Sequence, residues 1–347
     1  MSTKFYGKNI FKEKIDTFKP KSKKKDKYRS REELILYNRD RLFEKIDTPK
    51  NFSLITNPTE TINFINQLED RYLQEKEVFV NMKHVEYMDY SAVTMLLSVV
   101  FSFKERNIKF NGNFPNKLEY KKKLIDSGFF DCLKTKIDKT LEYKIGKENQ
   151  IFTRANKEVN SELGLPVMIE TSETVFGEKR TLKGLQRVLL ELMHNTNNHA
   201  VLNRKGEKHW WLSVNHDKEN KKVSFIFLDY GIGIFESLKN KPEEGKWEKL
   251  KSYISSLVNK DDNSTLLKLL LEGEIHMTVT GKPYRGKGLP GIRQAMQRND
   301  ISELKIVSND VFSNVSNNIY TKLNNEFSGT FVSWEINSNN NNLQWIL

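Results

Sequence analysis

Between Thr59 and Ser127 the apolar residues change spacing repeatedly, from one residue in three or four to short unbroken runs and back again. Ile62, Ile65, Leu68 and Tyr72 fall on one face of a helix over Thr59 to Gln74, and Val78-Phe79-Val80 then reads as a short buried strand. From Ser91 a second helix carries Val93, Leu96, Leu97 and Val100 to Lys104. Ile108-Lys109-Phe110 follows as a strand and Asn111-Gly112-Asn113 as a turn. A last helix from Lys117 ends at Ser127-Gly128, where glycine suits the C-terminal cap. Helices alternating with buried strands need crossover connections, so this stretch predicts a small α/β layer with parallel pairing.

At 347 residues the chain exceeds one compact domain, and two are expected. Arg31 to Asp47 has helical spacing with charges on one side, and Thr48-Pro49-Lys50 interrupts it because proline disfavours helix immediately before itself. Beyond the α/β layer, residues 136–174 are polar, with strand-like pieces at Leu141 to Ile145 and Pro166 to Ile169. The expected organisation is a basic arm and helix over 1–48, the α/β domain over 49–135, a connector over 136–174, and a second domain over 175–347.

The net charge of +12 is concentrated locally: Lys19, Lys21, Lys23, Lys24, Lys25 and Lys27 crowd one stretch with Arg29 and Arg31. This reads as a solubilising arm, with attachment to nucleic acid or a membrane surface as the alternative. Cys132 is the only cysteine, which rules out an intrachain disulfide or a zinc site built on cysteines and fits a reducing compartment. The first residues lack the apolar core of a signal peptide, and the longest apolar stretch, Met95 to Phe103, is too short to span a bilayer. A cytoplasmic location is expected.

The chemistry concentrates in the second half. Thr181 to Ala200 reads as one helix with Leu182, Leu185, Val188, Leu189 and Leu192 on its apolar stripe, and Glu191 and Asn195 share another face one turn apart. A carboxylate and an amide so placed can organise a divalent cation and a water, and oxygen ligands suit Mg²⁺. The strand Val223 to Leu228 runs directly into Asp229-Tyr230-Gly231-Ile232-Gly233, where spaced glycines let backbone bend around a ligand beside a fixed carboxylate able to accept from an exocyclic amine. Arg285-Gly286-Lys287-Gly288-Leu289-Pro290-Gly291 precedes a helix over Ile292 to Asn299. Glycines at a helix start expose N–H groups to phosphate, and Arg285 and Lys287 add positive charge. The spacing fits neither a Walker loop nor a dinucleotide fingerprint.

Together these segments resemble the GHKL (Bergerat-fold) ATPases and kinases, which include gyrase, the ninety-kilodalton heat-shock chaperone, histidine kinases and anti-sigma-factor kinases. Glu191-Leu-Met-His-Asn195 looks like the family's N box, Asp229-Tyr-Gly231-Ile-Gly233 its first glycine box, Gly286-Lys-Gly288-Leu-Pro-Gly291 its second, and Gly329-Thr330 its closing strand motif. The resemblance covers about residues 175 to 337 and implies an α/β sandwich with helices on one face of a mixed sheet. It implies ATP and Mg²⁺ as cofactors. Asn195 would hold the metal, Asp229 would read the adenine amine, Gly231 and Gly233 would shape the base pocket, and Thr330 would support the base through water. Arg285 and Lys287 would stand beside phosphates wrapped by Gly286, Gly288, Leu289 and Gly291. Phe235 to Tyr284, with helical content around Trp247 to Val258 and Thr265 to Leu271, would supply a lid.

The amino-terminal layer resembles a STAS domain, since a strand leads through Tyr87-Met88-Asp89-Tyr90-Ser91-Ala92 into an apolar helix. The family typically has Asp-Ser-Ser-Gly there; Asp89, Ser91 and Ala92 match and Tyr90 departs. Ser91 occupies the position such domains phosphorylate, with an N-cap role as the plainer reading.

Glu191 as catalytic residue would activate either water or a protein hydroxyl. The expected function is Mg²⁺-dependent ATP binding with slow hydrolysis that drives a lid-closing switch in a regulatory or signalling protein. The alternatives are a serine/threonine kinase of anti-sigma type, acting on a STAS-like partner or on Ser91, and an ATP sensor attached to nucleic acid through the basic arm. A protein partner, STAS-like or a second copy of the chain as a homodimer, is compatible with each.

Overall fold

A computed structural model describes residues 43–127, 129–130, 150–156, 161–199, 209–239, 262–274 and 288–340. The chain divides into two compact units, Met1–Ile137 and Asp138–Leu347. Cys132, the lysine-rich arm, Leu141 to Ile145, Trp247 to Val258, and Arg285, Gly286 and Lys287 lie outside the described residues.

In the first unit, strands β1 (Glu44–Asp47), β3 (Val78–Asn81) and β5 (Phe110–Gly112) form a parallel sheet in the order β1-β3-β5. β2 (Asn51–Phe52) and β4 (Tyr87–Met88) make a second parallel pair. Helices α1 (Pro58–Leu73) and α2 (Tyr90–Glu105) supply the crossovers and α3 (Leu118–Asp126) follows β5, so the parallel α/β layer expected from periodicity is present. α1 buries Ile62, Phe64, Ile65, Leu68 and Tyr72, each contributing roughly 1.5–3 kcal/mol on leaving water. α2 is buried on nearly every side between Ser91 and Phe103, as its continuous apolar sequence requires.

Two local expectations are corrected. The charged segment Arg31 to Asp47 does not end as a helix: Glu44–Asp47 is a strand, because pairing with the buried β3 outweighs helical spacing. It follows that the first unit's sheet begins before residue 49. Asn111 and Gly112 belong to β5 rather than to a turn, paired with Phe79 and Val80. Beyond β5, Asn113 completes a polar row across the strands' carboxyl ends. Asn81 Nδ2 donates to Asp47 Oδ1 at 2.5 Å, Asn113 Nδ2 donates to Asn81 Oδ1 at 2.6 Å, and Asn113 Oδ1 accepts from the Met82 amide at 2.6 Å.

In the second unit, β6 (Gln150–Asn156), β7 (His209–Asp217), β8 (Lys222–Asp229), β9 (Ser302–Asn314) and β10 (Ile319–Asn337) form one sheet in the order β6-β7-β8-β10-β9. Among the described residues every ladder in it is antiparallel, where a mixed sheet is expected. Short turns at Lys218–Lys221 and Val315–Asn318 join β7 to β8 and β9 to β10, and connections that short permit only antiparallel pairing. Pro166 to Ile169 is not strand but part of helix α4 (Ser161–Phe176), with Val167 and Met168 in the core; so short an apolar run fits either period.

Register partners Leu212, Phe227, Val332 and Ile306 make one apolar row across four strands, and Val214, Phe225 and Trp334 make the next, with the Phe225 and Trp334 rings stacked at 5.1 Å. Against this face pack α4, α5 (Lys183–His199), α6 (Gly233–Lys239), α7 (Asn263–Glu272) and α8 (Gly288–Gln297), which send Val167, Leu185, Val188, Leu189, Leu192, Phe235, Leu267, Leu271, Ile292 and Ala295 into a shared core. Among the described residues, helices cover one face of the sheet, as expected. α6 and α7 fall inside the stretch expected to be a lid, yet Phe235, Leu267 and Leu271 anchor them in the core. No described helix is long and apolar enough to cross a membrane.

Candidate functional site

The apolar row across the sheet ends in a polar one. Trp210 of β7, Asp229 of β8, Thr330 of β10 and Ser308 of β9 are successive register partners on the helix-covered face. α5 lies over this end. Its core stripe of Leu185, Val188, Leu189 and Leu192 continues at the same spacing to Thr196, a buried hydroxyl where another apolar residue would fit the pattern.

Thr196 Oγ1 donates to the Leu192 carbonyl at 3.2 Å and lies 3.4 Å from Asp229 Oδ2. The backbone amides of Thr330 and Gly231 also donate to the Asp229 carboxylate. Burial nevertheless dominates these bonds and pushes the Asp229 carboxyl up to about 7. Trp210 stacks on Phe227 at 5.5 Å, and its buried indole Nε1 has no hydrogen-bond partner among the described residues.

Two glycines let the backbone close around Asp229. Gly329 has φ +140°, and a Cβ there would sit 2.0 Å from the Asp229 carbonyl oxygen; only glycine lets β10 pass so close and bring the Thr330 amide to the carboxylate. Gly233 has φ +77°, and a Cβ would collide with the Asn309 side chain at 2.3 Å. Asn309, itself at φ 47° beside a bulge in the β9–β10 ladder, accepts from the Phe235 amide at 3.1 Å and donates to the Ile232 carbonyl at 2.9 Å. Ser308 Oγ accepts from the Ile234 amide and donates to the Gly329 carbonyl, both at 2.9 Å. The first amides of α6 are therefore occupied by protein, and Gly233 makes room for Asn309.

The second glycine segment meets α5 directly. A Cβ on Gly288 would lie 2.8 Å from Asn195 Oδ1, and one on Gly291 would lie 3.5 Å from Arg187 Nη2. Gly184, nearer the start of α5, is packed against Asp300 beyond the end of α8, so the two helices run antiparallel. Arg187, Glu191 and Asn195 follow one another at four-residue intervals and form a half-buried polar stripe beside the start of α8. Glu191 has no ion-pair partner among the described residues. Leu289 packs against the core rather than outward.

The fold thus gathers Asn195, Asp229, Gly231, Gly233, Gly288, Gly291 and Thr330 from four separate segments, with Glu191 one helical turn before Asn195. Thr196, Trp210, Arg187, Ser308 and Asn309 were not singled out from sequence. Thr196 had a signal, its hydroxyl on an apolar stripe; Ser308 and Asn309 had none, since Ser-Asn-Asp inside a strand reads as a turn.

Ser91 lies in the first unit and is fully buried. Its hydroxyl donates to Asp89 Oδ1 at 2.5 Å and accepts from the Leu54 amide at 2.9 Å. The cap of α2 is Asp89, which accepts from the Ser91 and Ala92 amides, rather than Ser91 as expected. Ser53 donates to the other oxygen of Asp89 at 2.5 Å, closing a hydroxyl–carboxylate–hydroxyl cluster.

Asp229 offers a buried acceptor whose ionised form one more donor would stabilise. The Asn195 amide offers an oxygen to a cation, and the first turn of α8, in which Pro290 alone lacks an N–H, offers backbone donors to an anion. No family model matches the chain, and no curated protein matches it.

Proposed function

We propose that the second unit binds ATP with Mg²⁺ in a pocket of GHKL type, and that Glu191 promotes its slow hydrolysis. The reading is carried by one observation: a buried, incompletely compensated carboxylate, Asp229, is held through Thr196 next to Asn195, and Asn195 lies against Gly288 at the start of a helix. An N–H donor on a purine fits the first end, and phosphate oxygens with a cation fit the second.

The residues fit the cofactor. Asp229, held by the Thr330 amide, would accept from the base, Asn195 would supply an oxygen for Mg²⁺, and Gly288 lets the start of α8 approach the Asn195 side chain. When bound, the Mg²⁺–triphosphate supplies a phosphoryl group activated for transfer to water. Glu191, unpaired among the described residues, holds its carboxylate one turn from Asn195 as the base that takes the proton.

The same base would serve a kinase. Ser91 as its target requires opening a turn in which the hydroxyl is fully buried and twice bonded, so hydrolysis is the better-supported outcome. The test is incubation with γ-labelled ATP and Mg²⁺, following free phosphate and label on protein. Free phosphate is expected from the wild type and is lost in Glu191→Gln, without label on the protein. Label that disappears in Ser91→Ala would replace hydrolysis by self-phosphorylation.

A further inference from the structure

Among the described residues five half-buried arginines lie in or beside helices, and four have acidic partners. Arg71 pairs with Glu44, Arg180 with Glu178 at 3.4 Å, Arg293 with Glu272 at 3.1 Å, and Arg298 with Asp300 at 2.9 Å. Arg187 is the fifth. A Cβ on Gly291 would meet its guanidinium at Nη2 3.5 Å, Nε 3.6 Å and Cζ 3.8 Å, and among the described residues it forms no ion pair, although Glu191 stands one turn along the same face. A partly desolvated guanidinium with no direct ion pair gains most from an anion that brings oxygens to it.

Position decides which anion. Gly288 and Gly291 are three residues apart and share one face of α8, so the Asn195 amide and the Arg187 guanidinium rest on adjoining places of one side-chain-free stripe. On α5, Glu191 stands between them. Asp229 and Thr196 mark the Asn195 end, and Arg187 is two helical turns further away, about 12 Å along the axis. A ligand anchored at Asp229 and extended along this stripe brings its most distal anionic group to Arg187. The planar guanidinium can grip two oxygens of such a group at once.

We infer that Arg187 is the specificity residue that distinguishes a nucleoside triphosphate from shorter nucleotides by meeting its terminal phosphate. The inference rests on the ATP reading above and adds to it the length of polyphosphate the site selects.

The experiment is calorimetric titration of adenosine, ADP and ATP with Mg²⁺ into the wild type, Arg187→Gln and Arg187→Lys. Adenosine serves as the internal control for an intact pocket. In Arg187→Gln, ATP affinity is expected to fall at least about tenfold while adenosine and ADP change by less than about twofold; Arg187→Lys keeps the charge without the fork and falls between. Equal weakening of all three ligands, or no change in any, would overturn the inference and leave Arg187 as packing between α5 and α8. A wild type that binds none of the three removes the ATP reading itself, and the inference with it. A variant that no longer binds adenosine but keeps the wild-type preference for ATP over ADP also overturns it.

Discussion

In each unit an aspartate at or just past a strand's end gathers hydroxyl and amide donors, and the two aspartates have opposite consequences. Asp89 in the first unit accepts from the Ser53 and Ser91 hydroxyls at 2.5 Å and from the Ser91 and Ala92 amides at 3.0 and 3.3 Å. Those bonds serve both carboxylate oxygens, and the group is spent on capping α2 and fixing the β2–β4 end of the layer. Asp229 in the second unit has one hydroxyl at 3.4 Å and two amides, and burial outweighs them enough to raise its carboxyl to about 7. A saturated carboxylate holds a fold together; an undersaturated one in the same kind of position is poised for a donor that arrives later. The difference lies in the neighbours, since both segments read as a strand leading into a polar turn.

Substitution at the two aspartates tests this most severely. Asp229→Asn keeps shape and removes charge. It is expected to weaken nucleotide binding by about 100-fold or more while leaving the melting temperature at pH 8 unchanged or higher, because a buried ionised group has been removed. Asp89→Ala strands two hydroxyls and two helix amides and should lose about 2–4 kcal/mol of stability with nucleotide affinity intact. Denaturation and calorimetry on both variants would break the comparison if the effects came out exchanged.

Gly329 sharpens the same contrast at a smaller scale. Gly329→Ala places a Cβ 2.0 Å from the Asp229 carbonyl oxygen at φ +140°, so β10 must lift from β8. A loss of about 2–3 kcal/mol is expected, together with weaker nucleotide binding as the Thr330 amide leaves the carboxylate. Gly291→Ala meets only the Arg187 guanidinium at 3.5–3.8 Å and lies inside a helix, where alanine is favoured by up to about 1 kcal/mol. Urea titration of the two variants should give shifts of opposite sign.

Much of this architecture is legible in the sequence wherever one periodicity dominates. α1, α2 and α5 announce themselves by apolar spacing, and β8 by an unbroken run that ends on Asp229. The turn after β8 is legible because aspartate and spaced glycines have few other uses. Legibility fails where pairing rather than local preference decides. Glu44–Asp47 becomes a strand because β3 accepts it, and Pro166 lies in a helix because its apolar neighbours face the sheet. β9 and β10 are dotted with Ser, Asn and Lys that suggest loops, yet they form the longest ladder in the molecule. The site follows the same division: Asn195 and Asp229 stand out by type and place, whereas Ser308, Asn309 and Trp210 enter it only through register.

For the wild type the smallest expected effect is its pH profile, in which Asp229 is set against a half-buried group of the same sheet. His216 of β7 contacts Thr174 Oγ1 through Nδ1 at 2.7 Å, and burial, aided by Lys218, lowers it to about 4. Its folded form holds fewer protons than the unfolded chain between pH 4 and 6.5, so it favours folding more as pH rises across that range. Asp229 has the opposite sign. Raised from 3.8 to about 7, it binds more protons folded than unfolded, and stability declines as pH rises through that window. At about 1.4 kcal/mol for each pH unit of displacement the two slopes nearly cancel between pH 4 and 6.5. As far as these two groups set it, the wild-type profile should be flat there and decline slightly towards pH 7. Asp229→Asn should then expose a profile that rises with pH by about 3 kcal/mol at most, and His216→Gln one that falls by about 4 kcal/mol at most. A donor bound at Asp229 favours the ionised carboxylate, so adenosine affinity should grow as pH rises through 7 and its binding should release protons. Adenosine titrated in buffers of different ionisation enthalpy measures that release directly, and its absence would mean the ligand does not reach Asp229.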